Sequence, residues 1–166
     1  MSRSLDAYRG QLTPAQVAEG VNSASRNSAR LAGDAKLLLE NGRFPSAASI
    51  AVLAIEEAGK TSILRGLAVA NDDEEIKKEW KAYRSHTSKN VQWILPRLVT
   101  EGARKLGDLR SIFDRDSDHP LLLNNIKQLG FYTDCLGDAH WTEPAEIVDE
   151  QIAKMLVEVA QILCQE

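Results

Sequence analysis

The sequence predicts an all-α fold, an antiparallel helical bundle of about five helices. Three observations carry that expectation. Val17, Val21, Ala24, Leu31, Ala35 and Leu38 recur mostly at steps of three and four, as do Val148, Ile152, Met155, Val159 and Ile162. Such spacing keeps one face of a helix apolar. The run Ala47 to Ile55 is apolar at every position but Ser49. It is too long for a strand and poor in β-branched residues, so it reads as a buried central helix. Finally, no stretch reads as a strand candidate, and the connections are short, which favours antiparallel neighbours.

The elements follow in order. Thr13 is a natural N-cap, Pro14 suits the first helical position, and Gln16 completes a capping box. Leu12 and Val17 are placed for a hydrophobic staple. Ser28 interrupts the stripe of this first helix, and Asn41-Gly42 stops it. Phe44-Pro45 leads into the second helix, which is expected to run to about Val69. Asp72 or Asp73 caps a third, with Ile76, Trp80, Tyr83, Val91 and Ile94 inside, until Pro96 breaks or kinks it. A further helical stretch carries Leu98, Ala103, Leu106, Leu109 and Phe113. Residues 114–119 read as a solvated loop. Pro120 opens a fourth helix with Leu122, Leu123, Ile126 and Leu129 inside, weakened at Gly130 and ended at Gly137. Residues 137–143 read as a loop, and Pro144 opens the last helix.

Composition sets outer limits. A length of 166 residues suits one domain, read here as spanning 1–166 with residues 1–12 as a flexible N-terminal arm. The net charge of −4 argues against broad coating of duplex nucleic acid, which calls for a basic surface. Cys135 and Cys164 show no framework spacing, so free thiols in a reducing cytoplasm are expected. The N-terminal residues lack a signal-peptide apolar core, and no apolar run reaches the roughly 18 residues of a membrane span. There is no HExxH, no paired CxxC, no Glu-x-x-His and no phosphate-binding GxxxxGK[ST] loop. No metal and no cofactor are therefore expected.

One feature breaks the simple packing pattern. Glu56, Glu57 and Lys60 follow directly on the most apolar turns of the second helix. Adjacent helical residues point about 100° apart, so the two carboxylates cannot face the same neighbour. Glu56 and Lys60 have the favourable four-residue order for a pair, which leaves Glu57 to find a partner elsewhere. One reading has the helix emerging into water here, its charges solvated. The other is a buried polar network, since an unpaired buried carboxylate costs several kcal/mol. Arg84, His86 and Lys89 in the third helix are the best partners by type, and a carboxylate beside His86 would orient its ring. Gly59 would admit a close backbone or ligand. Tyr132 and Asp134 form a second polar group late in the fourth helix, or else a helix-end aromatic and a solvent-facing acid.

Several separated pieces together resemble the AbiV-type abortive infection proteins, a branch of the HEPN helical-bundle superfamily. They are Asn27-Ser28-Ala29 with Leu31, Asp34-Ala35 and Leu38-Leu39, then Gly42-Arg43-Phe44 running into AASIAVLAIEEAGK. His86 with Lys89, Phe131-Tyr132-Thr133-Asp134, and Trp141 with Pro144 complete the set. The resemblance implies a HEPN-like bundle, frequent homodimerisation, and anti-phage defence through arrest of translation once a phage protein activates it. Many HEPN proteins are metal-independent ribonucleases whose arginine and histidine stand four to six residues apart. Here one residue separates Arg84 from His86, three separate Arg115 from His119, and no arginine precedes His140 at such spacing. Glu56, Glu57, Lys60, His86, Lys89, Tyr132 and Asp134 carry over as the candidate site.

Metal-independent RNA cleavage needs a base, an acid and positive charge at the phosphate. His86 can serve as base or acid, with Glu56 or Glu57 orienting it or acting as base. Lys60, Arg84 or Lys89 can hold the phosphate, and Tyr132 can stack on a base or donate a proton. Three readings stand at this level. The chain is an abortive-infection toxin acting on RNA, a non-catalytic HEPN module binding a phage or ribosome-associated partner, or a plain bundle in which the charges are a packing device. The apolar stripe of the last helix and the anchor-type Trp80, Trp93 and Trp141 would suit a homodimer.

Overall fold

The computed structural model describes residues 6–109, 112 and 117–164; the expectations for Phe113 and for the Arg115 spacing, and the side chain of Leu106, lie outside what is described. Helix α1 spans Pro14–Glu40, and its N-terminus forms the capping box expected of Thr13 and Gln16. It closes where Gly42, at φ 69°, turns the chain. Helix α2 spans Phe44–Val69 and is buried along most of its length, from Ala47 to Leu67. It lies at the centre of the fold, packing on α1 and on most of the helices introduced below.

Helix α3, Asp73–Arg84, starts at the Asp72 cap. The single third helix expected up to Pro96 is divided instead. Ser85 sits in extended backbone, and its hydroxyl accepts from Ser88 N to start a short α4, His86–Lys89. A serine that can cap a new turn competes with continuation of the old one. A 3₁₀ turn, Val91–Ile94, then leads into α5, Leu95–Thr100, with Pro96 in its first turn, and Leu106–Leu109 forms a second 3₁₀ turn.

Helix α6, His119–Phe131, ends well before Gly137. Leu123 is buried, whereas Leu122, expected inside, is half-exposed. A small hairpin, β1 (Cys135–Leu136) paired antiparallel with β2 (His140–Trp141), replaces the expected last turn of the fourth helix and part of the segment read as a loop. Gly137 and Ala139 both take positive φ, which turns the chain tightly. Two-residue strands are too short to leave an alternating pattern. Pro144 opens only the short α7, Pro144–Ile147; Asp149 then caps the last helix, α8, Glu150–Leu163.

The buried face of α8 differs from the stripe read in the sequence. Ala153, Leu156, Val157 and Ala160 are inside, while Met155 and Ile162 are largely exposed. Small residues on both partners explain this. Ala47, Ala48, Ala51 and Ala54 of α2 are fully buried, so the alanines of α8 can approach closely. A second, smaller core gathers Val17, Leu64, Leu67, Ile76 and Trp80 where α1, α2 and α3 meet. Residues 6–12 do not hang free of it. Trp80 Nε1 donates to the Gly10 carbonyl at 2.9 Å, and Arg84 donates to the Tyr8 carbonyl at 2.5 Å.

Candidate functional site

Glu56 projects from the middle of α2 and is 3% exposed. A carboxylate buried this far must be paired and hydrogen-bonded. Lys127 of α6 donates to Glu56 Oε1 at 2.5 Å, and its own side chain is as deeply buried. His86 Nδ1 lies 2.7 Å from Glu56 Oε2. Lys89 Nζ completes the ring at 3.8 Å from Oε2. Three elements, α2, α4 and α6, thus converge on one carboxylate. The helix break at Ser85 is what turns His86 and Lys89 toward it.

The shorter of the two contacts at His86 Nδ1, the one to Glu56, favours a proton on that nitrogen. A carboxylate only accepts, so the proton on Nδ1 points at Glu56. The 3.2 Å approach of Lys127 Nζ to the same nitrogen is then a close contact of two donors. A proton on Nδ1 leaves Nε2 as the nitrogen that can accept or release a proton toward solvent. The His86 side chain is 55% exposed, so the ring has one edge on a buried acid and the rest toward solvent.

The expected pairing of Glu56 with Lys60 is replaced. Lys60 bonds to Glu57, three residues before it, and its ammonium lies 5.2 Å from the centre of the Tyr83 ring. Steps of three and four are both within reach on a helix, so position decides. Glu57 and Lys60 share a partly open flank, while Glu56 faces inward to Lys127.

The other candidates lie elsewhere. Arg84 stacks over the Trp80 ring at 5.1 Å and bonds to the Trp80 and Tyr8 carbonyls, on the side of the N-terminal arm. Tyr132 is exposed beyond the end of α6. Asp134 accepts from Cys135 N at 2.7 Å and anchors the hairpin through its backbone to Thr142. Lys127 is the member that sequence reasoning missed. Its signal was present: Leu123, Lys127 and Gly130 share one face of α6, so a lysine stands in a buried stripe.

Two glycines let these helices close on each other. A Cβ on Gly59 would sit 2.0 Å from the Lys89 carbonyl oxygen, and one on Gly130 would sit 2.3 Å from Ser49 Oγ. Ser49 in turn donates to the Lys127 carbonyl at 3.2 Å. Both contacts set the depth at which the cations reach Glu56.

Burial pushes the Lys89 ammonium below its ordinary pKa, and the Glu56 carboxylate opposes that shift only in part. Between the lowered folded value and the ordinary one, the unfolded chain binds more protons. Stability should therefore rise as the pH climbs through that alkaline window, and the cost of the buried charge is fully present below it. Lys127 and His86 already satisfy Glu56, so Lys89→Met is expected to keep the fold and raise stability by about 1 kcal/mol at neutral pH. It should also flatten the alkaline rise. Urea midpoints from pH 7 to pH 10 test both, and a loss of stability at pH 7 would contradict the assignment.

These elements make a helical bundle with a charged centre on its middle helix, a domain of the HEPN type. The AbiV model of the HEPN group matches residues 16–165, and the chain belongs to that family of abortive-infection proteins. No curated protein and no solved structure matches it. Among the described residues, no cluster of ligands suited to a metal ion occurs, and no helix is long and apolar enough to cross a membrane.

Proposed function

We propose that this protein is a cytoplasmic anti-phage effector that arrests growth by acting on RNA or translation, with His86 as its acid–base residue. The observation that supports this reading is the buried Glu56 carboxylate holding Nδ1 of a half-exposed histidine. That arrangement presents a basic Nε2 to a substrate in a set orientation. Charge supports it as well. One carboxylate faces two lysines, so the ground beneath His86 is positive in a chain whose net charge is −4. A positive field there stabilises a phosphoryl group gaining negative charge.

In the reaction this suggests, His86 Nε2 takes the proton of a ribose 2′-hydroxyl. The 2′-oxygen attacks the adjacent phosphorus and closes a cyclic phosphate. The 5′-oxygen leaves and takes a proton back from the imidazolium. Glu56 keeps the ring in place throughout and stabilises the transient cation. Lys60 and Glu57 flank this ground as a neutral pair.

The second reading is a non-catalytic HEPN module that binds a phage or ribosome-associated partner. It draws on the position of Arg84, whose guanidinium is held by Trp80 and the N-terminal arm instead of standing beside His86. In either reading we propose a homodimer, with a phage protein as activator. Exposed Met155 and Ile162 on α8 are apolar surface suited to such contacts.

Induced expression of wild type, His86→Ala and Glu56→Gln, with and without phage, tests the reading. Cleaved RNA is expected in arrested wild-type cells. His86→Ala should lower cleavage by roughly 10²–10⁴-fold, the usual worth of a positioned acid–base group. Glu56→Gln should lower it less, because an amide still accepts from Nδ1. Arrested cells with intact RNA would overturn catalysis in favour of the binding module.

A further inference from the structure

Asn90 closes α4 and stands between Lys89 and the 3₁₀ turn Val91–Ile94. Its side chain is fully buried, yet neither Oδ1 nor Nδ2 has a hydrogen-bond partner among the described residues. Flipping the amide cures nothing, because both of its ends are unpaired. Its backbone is already engaged, the N–H with the Thr87 carbonyl and the carbonyl with Trp93 N–H. Oδ1 of Asn124, on α6, is buried and unpartnered in the same way.

Two contacts set the register of α6 against the segment that carries Asn90. Lys127 Nζ lies 3.2 Å from His86 Nδ1, and Trp93 Nε1 donates to His119 Nδ1 at 2.9 Å. The two segments therefore run in opposite directions. Asn90 lies between the contacts on one, and Asn124 lies between them on the other. Both amides fall in the seam between α6 and residues 86–93, beside the charges around Glu56. Asn90 follows Lys89 directly, and Asn124 stands three residues before Lys127, on the same side of α6.

The two amides do not reach each other, and buried polar groups need partners. What this seam offers is one N–H donor group and two carbonyl acceptors. Water supplies both kinds of partner, and an internal water makes about three hydrogen bonds to groups of this sort. A metal ion would find no ligand in Nδ2, and an anion would be repelled by the two oxygens. We propose that the seam between α4 and α6 is a binding site for internal water, which accepts from Asn90 Nδ2 and donates to Asn124 Oδ1. The bridge ties α4 to α6 behind the lysines that reach Glu56. This matters for so short a helix, whose place depends on side-chain ties more than on its own backbone bonds.

NMR of the full chain, labelled with nitrogen-15 at asparagine, tests this directly. The Asn90 side-chain amide should show magnetisation transfer from a long-lived water, which exposed Asn71 should not. Stability gives a second test, in which the sign decides. For an amide that simply lacks a partner, Asn90→Leu removes a misplaced polar group and raises the thermal midpoint. With water in the seam, the same change strands Asn124 Oδ1 and should lower the midpoint by about 4 °C. Asn124→Leu should lower it as well. The double variant removes both ends of the bridge, so it should lose less than the two single losses added together. A higher midpoint in either single variant, losses that simply add, or an Asn90 amide without a long-lived water would each overturn the proposal. None of these measurements reads RNA or growth, so the water site and the proposed activity stand or fall separately.

Discussion

Lys127→Met is expected to destabilise the protein by about 3 kcal/mol, the lower end of what removing one partner of a buried ion pair costs. Glu56 is 3% exposed and loses its 2.5 Å partner, while His86 and the more distant Lys89 remain. Those two keep the loss below the upper end of the range. The cost comes from stranding the carboxylate. Adding Glu56→Leu should recover part of it, because the carboxylate is no longer stranded, while the buried Lys89 loses its counter-charge. Urea denaturation of the two single variants and the double variant measures the coupling. A Lys127→Met loss under 1 kcal/mol would show that Glu56 does not depend on it.

Gly59→Ala carries the second large effect. In an open helix this change gains roughly 1 kcal/mol of propensity. Here the new Cβ would lie 2.0 Å from Lys89 O and 2.9 Å from Lys89 C, both backbone atoms with no rotamer to retreat into. Overpacking of this kind costs about 1–3 kcal/mol or more, so the clash outweighs the propensity gain. The less costly relief is a shift of α4 away from α2, which draws His86 and Lys89 off Glu56. The expected result is a net loss of about 2 kcal/mol in stability and, on the function proposed above, loss of growth arrest. An alanine variant as stable and as active as wild type would overturn the close approach.

The helical content and the central place of α2 were legible from periodicity and punctuation. The Thr13 capping box, the Asn41-Gly42 stop and the buried run from Ala47 each follow from local rules, and each occurs. The break at Ser85 was not legible, because Val91 and Ile94 continue the stripe of α3 in sequence while their chain has already turned. The inner face of α8 was misjudged for a related reason. Large residues mark a stripe, but alanines pack deepest where the opposite helix is also small.

The candidate site divides in the same way. That Glu56 and Glu57 cannot share a neighbour, and that His86 is a fitting partner, follow from residue type and helix geometry alone. Which acid turns inward does not, since Lys60 reaches either one. That choice rests with Lys127, 71 residues further along the chain, and with two glycines that let α4 and α6 settle against α2. Short-range order is written in neighbouring residues. The partner of a buried charge is set by which distant helices come close enough to exclude water.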